Sequence, residues 1–123
     1  MKKLFISVPM KDRTVEDIRK SMDKMHRIAE AITGEQLAVI DTWIDDEPPE
    51  GTVTAGVWYL GESITMLSYA DYFIGVKESW HWDGCACERM IADRYHIKMI
   101  EVDTVYVAQD AWESVVKEEI GLK

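Results

Sequence analysis

A regular alternation between short apolar runs and longer amphipathic segments is the feature that most constrains the fold. The apolar runs, each read as a strand, are Leu4–Val8, Leu37–Trp43, Tyr72–Val76 and Ile97–Val102. Strands that are apolar along most of their length are typical of a parallel sheet covered by helices on both faces. Strands that alternate with helices indicate the α/β class. A chain of 123 residues is long enough for one such domain, so we predict a single domain over residues 1–123.

The segments between these runs carry helical patterns. From Thr14 to Thr33, apolar residues recur at three- and four-residue steps, Thr14 and Asp17 resemble a capping box, and Gly34 follows as a stop. The other predicted helices cover Val57–Tyr69, Cys85–Tyr95 and Gln109–Glu119. Right-handed crossovers between the strands then predict a three-layer, flavodoxin- or Rossmann-like sheet in the order 2-1-3-4. A short fifth strand near Val105–Val107 is compatible with this pattern.

Charge and hydropathy narrow the range of partners. The net charge of -9 argues against a protein that coats nucleic acid, because such binding depends on clustered lysine and arginine. This charge still allows a nucleotide ligand, because backbone N–H groups at a helix end can hold a phosphate. No apolar run approaches the roughly 20 residues of a membrane-spanning helix, and the segment before Pro9 is not a signal peptide. We therefore expect a cytoplasmic protein with neither a membrane nor a nucleic-acid partner.

The carboxyl ends of strands 1 and 3 are the expected binding site, since open α/β sheets bind ligands where the strand order reverses. The loops Val8–Met10 and Lys77–Asp83 face each other there. Glu88 is expected in the first turn of the helix after this second loop, where its carboxylate can act as a nucleophile or base. The alternative is a solvated carboxylate that only complements the helix dipole.

The chain is rich in tryptophan, with five residues in total. Trp80 and Trp82 lie in the loop after strand 3. Their rings offer flat surfaces on which a base can stack. The alternative for both is burial at an interface between subunits, where tryptophan is enriched.

Cys85, Cys87 and His81 are the residues that a metal site or a Cys–His catalytic pair would use. A C-x-C pair with one histidine nearby does not supply the three or four ligands of a zinc site at their usual spacing. Two cysteines so close together are not a disulfide framework either. We expect thiols packed at the start of a helix, with no metal and no cofactor.

Several short motifs occur in a characteristic order along the chain. Ser7–Met10 ends strand 1, Tyr59–Ile64 lies in the second helix, Ala70–Asp71 precedes strand 3, and Trp80 is followed by Asp83–Glu88. Together they resemble the nucleoside 2-deoxyribosyltransferase-like superfamily, and within it a compact bacterial and phage branch catalogued as a domain of unknown function. The resemblance covers about residues 3–102.

The resemblance implies a reaction at the anomeric carbon of a nucleoside or nucleotide. Glu88 matches the glutamate that attacks this carbon and holds the sugar as a glycosyl-enzyme until a second base or water completes the reaction. Asp83 is the nearest candidate for the carboxylate that helps to protonate the leaving base. The implied substrate contacts are Ser7, Pro9, Met10, Ser63, Trp80, Trp82 and Gly84. Superfamily members often complete each pocket with a neighbouring subunit, which implies a homodimer or homotetramer.

Three positions depart from the pattern of the characterised transferases. Residues 5–7 lack the tyrosine that positions the nucleophile, and Ser63 stands where an aspartate holds the sugar hydroxyls. Val8 replaces the glycine that precedes Pro9. These departures favour a second hypothesis, a catalytically silent nucleotide-binding or signal-sensing module on the same fold. A third hypothesis is a phage or mobile-element accessory protein that interacts through its tryptophan-rich edge.

Overall fold

A computed structural model describes residues 1–103, which form an α/β fold around a parallel sheet. The four strands are β1 (Lys2–Ile6), β2 (Leu37–Val39), β3 (Tyr72–Val76) and β4 (Lys98–Val102), in the order β2-β1-β3-β4. All three neighbouring pairs run parallel, so the predicted class and strand order are confirmed. The fifth strand predicted near Val105–Val107 and the helix predicted over Gln109–Glu119 lie outside the described residues.

Helices cover both faces of this sheet. Those described are α1 (Val15–Thr33), α2 (Ala55–Leu67) and α3 (Asp83–Arg94). On one face, buried residues of α1 pack against Leu4 and Ile6. On the other face, Phe5 and Phe73 pack against residues of α2 and α3. Because successive strand residues point to opposite faces, the sheet is the middle of three layers.

The boundaries of α1 match the sequence prediction. The Thr14 hydroxyl accepts a hydrogen bond from the Asp17 N–H at 3.1 Å, which caps the first turn. Gly34 ends the helix with φ of 70°, a left-handed conformation that glycine adopts without strain.

The largest difference from the sequence prediction is the end of β2. The predicted strand runs to Trp43, but the observed strand ends at Val39. The reason is local: the Asp41 carboxylate accepts the Trp43 N–H at 3.1 Å, a side-chain bond that competes with pairing in the sheet. Residues 41–43 therefore leave the strand and pass the end of the sheet.

Other predicted boundaries are displaced by one or two residues. β1 begins and ends two residues earlier than predicted, and so does α2. β4 begins one residue later than predicted. The third helix begins at Asp83 instead of Cys85, with Trp82 as its N-cap, and ends one residue early. Periodicity locates the middle of an element, whereas its ends depend on single capping residues.

The middle of β3 owes its packing to a glycine. The Phe73 ring stacks on Phe5 with ring centroids 6.0 Å apart. A Cβ atom at Gly75 would lie 2.7 Å from Cε1 of Phe73. Gly75 thus leaves the space that this ring pair occupies beneath α2 and α3.

The three described helices are all unsuited to crossing a membrane: within residues 1–103, no helix has both the required length and the required apolar character.

Candidate active site

A cavity of about 570 Å³ lies at the carboxyl ends of β1 and β3. Its walls come from the segments that follow β1 and β2, from one side of α2, and from the start of α3. This is the point at which the strand order reverses, because β1 connects outward to β2 on one side and β3 leads to β4 on the other. Its size is within the usual range for a small-molecule site, about 300–1,000 Å³.

The Glu88 carboxylate lies at this cavity and is held by two hydroxyl groups. Ser7 donates from its Oγ to Oε1 of Glu88 at 2.7 Å, and Ser63 donates to Oε2 at 2.5 Å. Ser7 follows β1, Ser63 belongs to α2, and Glu88 belongs to α3. Three separate elements therefore fix both oxygens of one carboxylate.

The position of Glu88 in its helix differs from the sequence prediction. Because α3 begins at Asp83, Glu88 is the sixth residue and lies in the second turn, not the first. The effect of the helix dipole falls off within the first turn, so complementing that dipole does not account for this carboxylate. Its side chain is directed to Ser7 and Ser63 instead of bulk solvent.

Burial raises the pKa of Glu88 above its ordinary value, and the hydrogen bonds from Ser63 and Ser7 oppose this rise. The two hydroxyl groups stabilise the ionised form, whereas the loss of water destabilises it. Within residues 1–103, no lysine or arginine pairs with this carboxylate. The site therefore holds a poorly solvated carboxylate that is not paired with a cation from the described part of the chain.

Cys85 lies one turn before Glu88 and is buried. Burial and the nearby Glu88 charge raise the pKa of this thiol to about 12, against smaller opposing effects of Ser7 and Arg13. Since the thiolate is the reactive form, Cys85 is an inert, packed thiol at neutral pH.

Most of the residues predicted from the sequence meet at this cavity. Those that line it are Pro9, Met10, Ser63, Trp82, Asp83, Gly84 and Glu88. Ser7 is buried behind this surface and reaches the site through its hydrogen bond to Glu88. Trp80 lies apart: its side chain is 64% exposed and does not line the cavity. Trp80 and Trp82 differ because the short 3₁₀ turn at Ser79–His81 directs only the second ring inward.

Sequence reasoning did not select Trp43, Tyr59 or Lys11, which also line the cavity. Tyr59 lies four residues before Ser63, so helical spacing places both on one face of α2. Trp43 follows β2 at the same sheet edge, where the loops of an α/β fold bind ligands. These two signals were available in the sequence. Lys11 gave no comparable signal, because a lysine in a turn is usually a surface residue.

The chemistry offered by the described residues is that of carboxylates beside aromatic and aliphatic side chains. In residues 1–103, no group of three or more histidine, cysteine, aspartate or glutamate residues is arranged to hold a metal ion. Asp83 provides a second, exposed carboxylate at the cavity, and Lys11 provides a cation.

Comparisons with protein-family models, curated proteins and solved structures found no match to this chain.

Proposed function

We propose that this protein cleaves or transfers the N-glycosidic bond of a nucleoside or nucleotide, with Glu88 as the nucleophile. The observation that carries the proposal is the Glu88 carboxylate, held by Ser7 and Ser63 at a nucleoside-sized cavity where β1 and β3 end. The order of motifs that resembles the nucleoside 2-deoxyribosyltransferase-like superfamily supports the same reaction. A desolvated carboxylate that no lysine or arginine among residues 1–103 pairs with suits attack on a carbon that becomes positively charged.

The proposed reaction has two steps at one carbon. An oxygen of Glu88 forms a bond to the anomeric carbon while the bond from that carbon to the base nitrogen breaks, and the electron pair leaves with the base. Asp83 lines the cavity, and in its protonated form it supplies the proton that the leaving base takes up. Water or a second base then attacks the same carbon while the bond from that carbon to Glu88 breaks. The Asp83 carboxylate takes up the proton that the attacking group loses, and the Glu88 carboxylate is regenerated. This is the retaining pathway of glycoside chemistry.

The two serines orient the nucleophile in this scheme. Each hydroxyl holds one carboxylate oxygen, which limits rotation of the Glu88 side chain. In the family that the chain resembles, a tyrosine from strand 1 positions the nucleophile and an aspartate of the second helix holds the sugar. In this chain, Ser7 and Ser63 are the residues from those two segments that contact Glu88. Hydroxyl groups donate without adding a charge, so they stabilise the carboxylate without neutralising it.

A catalytically silent nucleotide-binding or signal-sensing module is the second candidate. The observation that favours it is the use of Ser63, whose hydroxyl hydrogen is given to Glu88 and is not free to bind a sugar oxygen. A silent module would gain thermal stability from nucleotides and release no base from them.

The direct test of the enzyme proposal is base release by Glu88→Gln. We expect the rate of base release to fall about 10³-fold or more, because the nucleophile is removed. Glutamine keeps the shape of the glutamate side chain, so the rest of the site should be unchanged. Chromatography of free bases measures the rate with a panel of purine and pyrimidine nucleosides and their 5′-monophosphates.

Asp93→Asn is the matched control, because Asp93 is an exposed carboxylate on the same helix. It should release base at the wild-type rate. Full activity of Glu88→Gln would contradict the enzyme proposal. A wild-type protein that is stabilised by nucleotides but inactive across the whole panel would favour the silent module.

We also propose that the protein assembles as a homodimer or homotetramer in the cytoplasm. The support for assembly is α2, in which Glu62 is the single charged residue and Val57 is 66% exposed. In a chain with a net charge of -9, two copies meet with least repulsion at an uncharged surface. Light scattering from the purified protein measures the assembly directly.

A further inference from the structure

Trp43 stands between the cavity and a second, shallow groove on the protein surface. Its side chain lines the cavity, and it also lines the groove that contains Arg19. Arg19 itself is absent from the cavity wall, and its guanidinium carbon lies 5.7 Å from the centroid of the Trp43 ring. One side of the ring therefore contacts a cation, and the ring also borders the cavity.

Two local interactions hold this tryptophan in place. The Asp41 carboxylate accepts the Trp43 N–H, which fixes the backbone after β2. The Arg19 guanidinium lies over the ring, a favourable interaction between a cation and an aromatic face. Trp43 nevertheless remains 38% exposed. Because Trp43 also lines the cavity, its ring is an aromatic surface already in place at the site.

We infer that Trp43 is the platform on which the base of the substrate stacks, and that Arg19 is a positioning residue that holds its ring. This inference specifies the ligand class of the proposed site, an aromatic heterocycle joined to a sugar. The heterocycle follows from the Trp43 ring, whereas the sugar rests on the proposed function. Stacking depends on the area of the aromatic faces. Purine ligands, with two fused rings, should therefore bind more tightly than pyrimidine ligands.

The alternative platform in the sequence is Trp80, and its position makes it the natural control. Trp80 is more exposed than Trp43 and does not line the cavity. Both residues are tryptophans on the surface, so the same substitution at each removes a similar apolar area. If the two variants differ in ligand binding, the difference is due to the position of Trp43 at the cavity and not to a general loss of hydrophobic surface.

The test is equilibrium binding to the full chain carrying Glu88→Gln, so that turnover does not consume the ligand. The probes are 2′-deoxyadenosine 5′-monophosphate and thymidine 5′-monophosphate, with calorimetry as the measurement. Trp43→Leu should weaken binding of the purine nucleotide about tenfold or more, and that of the pyrimidine nucleotide less. Trp43→Phe should keep most of the affinity, and Trp80→Leu should keep all of it.

The role of Arg19 has its own measurement. Arg19→Gln should weaken purine binding by a smaller factor than Trp43→Leu, and Arg19→Lys should restore it, because a lysine also places a cation over the ring. Quenching of tryptophan fluorescence by the purine nucleotide should be smaller in Trp43→Phe, where Trp82 is the remaining tryptophan among the described residues of the cavity wall, and unchanged in Trp80→Phe.

Three results would overturn the inference: wild-type affinity in a folded Trp43→Leu protein, equal losses in Trp43→Leu and Trp80→Leu, or no binding of either nucleotide by the parent protein. Failure of the proposed function is a separate result. Purine binding that depends on Trp43, in a wild-type protein that releases no base, would support Trp43 as the stacking platform and contradict only the proposed reaction.

Discussion

Opposing effects act on the pKa of Glu88. Burial raises the pKa of its carboxyl group, while hydrogen bonds from Ser63 and Ser7 lower it. A nucleophilic carboxylate must be ionised, so activity should rise as pH increases through this pKa. The acidic limb of the pH profile of kcat/KM should therefore lie above the ordinary range of a glutamate side chain.

Ser63→Ala should move this acidic limb to still higher pH. The substitution removes a donor that stabilises the ionised form, so the pKa of Glu88 rises further and a smaller fraction is ionised at a given acidic pH. The measurement is the pH dependence of kcat/KM for base release. Ser68→Ala is the control, because the Ser68 hydroxyl donates to the Thr65 carbonyl away from the site. An acidic limb that stays in place or moves to lower pH in Ser63→Ala would contradict this view of Glu88.

The residues of the site were predictable from the sequence to different degrees. Glu88 could be selected because its motif lies at the expected end of the sheet, and Ser63 could be selected through the family resemblance. The place of Trp43 at the end of a predicted strand indicated the same sheet edge, but its neighbours read as a continuous strand, and its departure from that strand involves the single side chain of Asp41. Trp80 was selected for its loop, yet sequence does not specify which of two nearby rings a short 3₁₀ turn directs inward.

The packing of β3, one of the two inner strands, is sensitive to a single substitution. A Cβ at position 75 would lie 2.7 Å from the Phe73 ring, which is fully buried and stacked on Phe5. We expect Gly75→Ala to lower the free energy of unfolding by about 1–3 kcal/mol, because the ring has to shift within a closed core. Urea denaturation followed by circular dichroism measures the change.

A glycine-to-alanine substitution in α2 should not lower the free energy of unfolding. A Cβ at Gly61 meets no atom within 4 Å, and alanine is a better helix former than glycine by up to about 1 kcal/mol. Gly61→Ala should therefore leave stability unchanged or raise it. Equal stability of the Gly75→Ala and Gly61→Ala proteins would show that the Phe73 ring is not confined as described.

Elements were predictable where a pattern extends along their whole length. The apolar stripe and both caps of α1 specify that helix, and the apolar run of β3 specifies that strand. Their ends were less predictable, since an end depends on one side chain or one backbone angle. The start of α3 at Asp83 is such a case, and it moves Glu88 from the first turn to the second.

In the molecule as a whole, topology creates the site. Right-handed crossovers give the order β2-β1-β3-β4, and this order brings the ends of β1 and β3 together beside α2 and α3. That arrangement could be predicted from the alternation of strands and helices alone. The detailed walls of the cavity could not, because they come from segments far apart in sequence whose contacts depend on the complete fold.

The most direct measurement is a crystal structure of Glu88→Gln soaked with 2′-deoxyadenosine 5′-monophosphate. If Glu88 is the nucleophile, the side-chain oxygen at position 88 should lie about 3–3.5 Å from the anomeric carbon, the spacing of a near-attack geometry. A nucleotide bound outside the cavity, or one inside it with its anomeric carbon turned away from position 88, would contradict the proposed reaction.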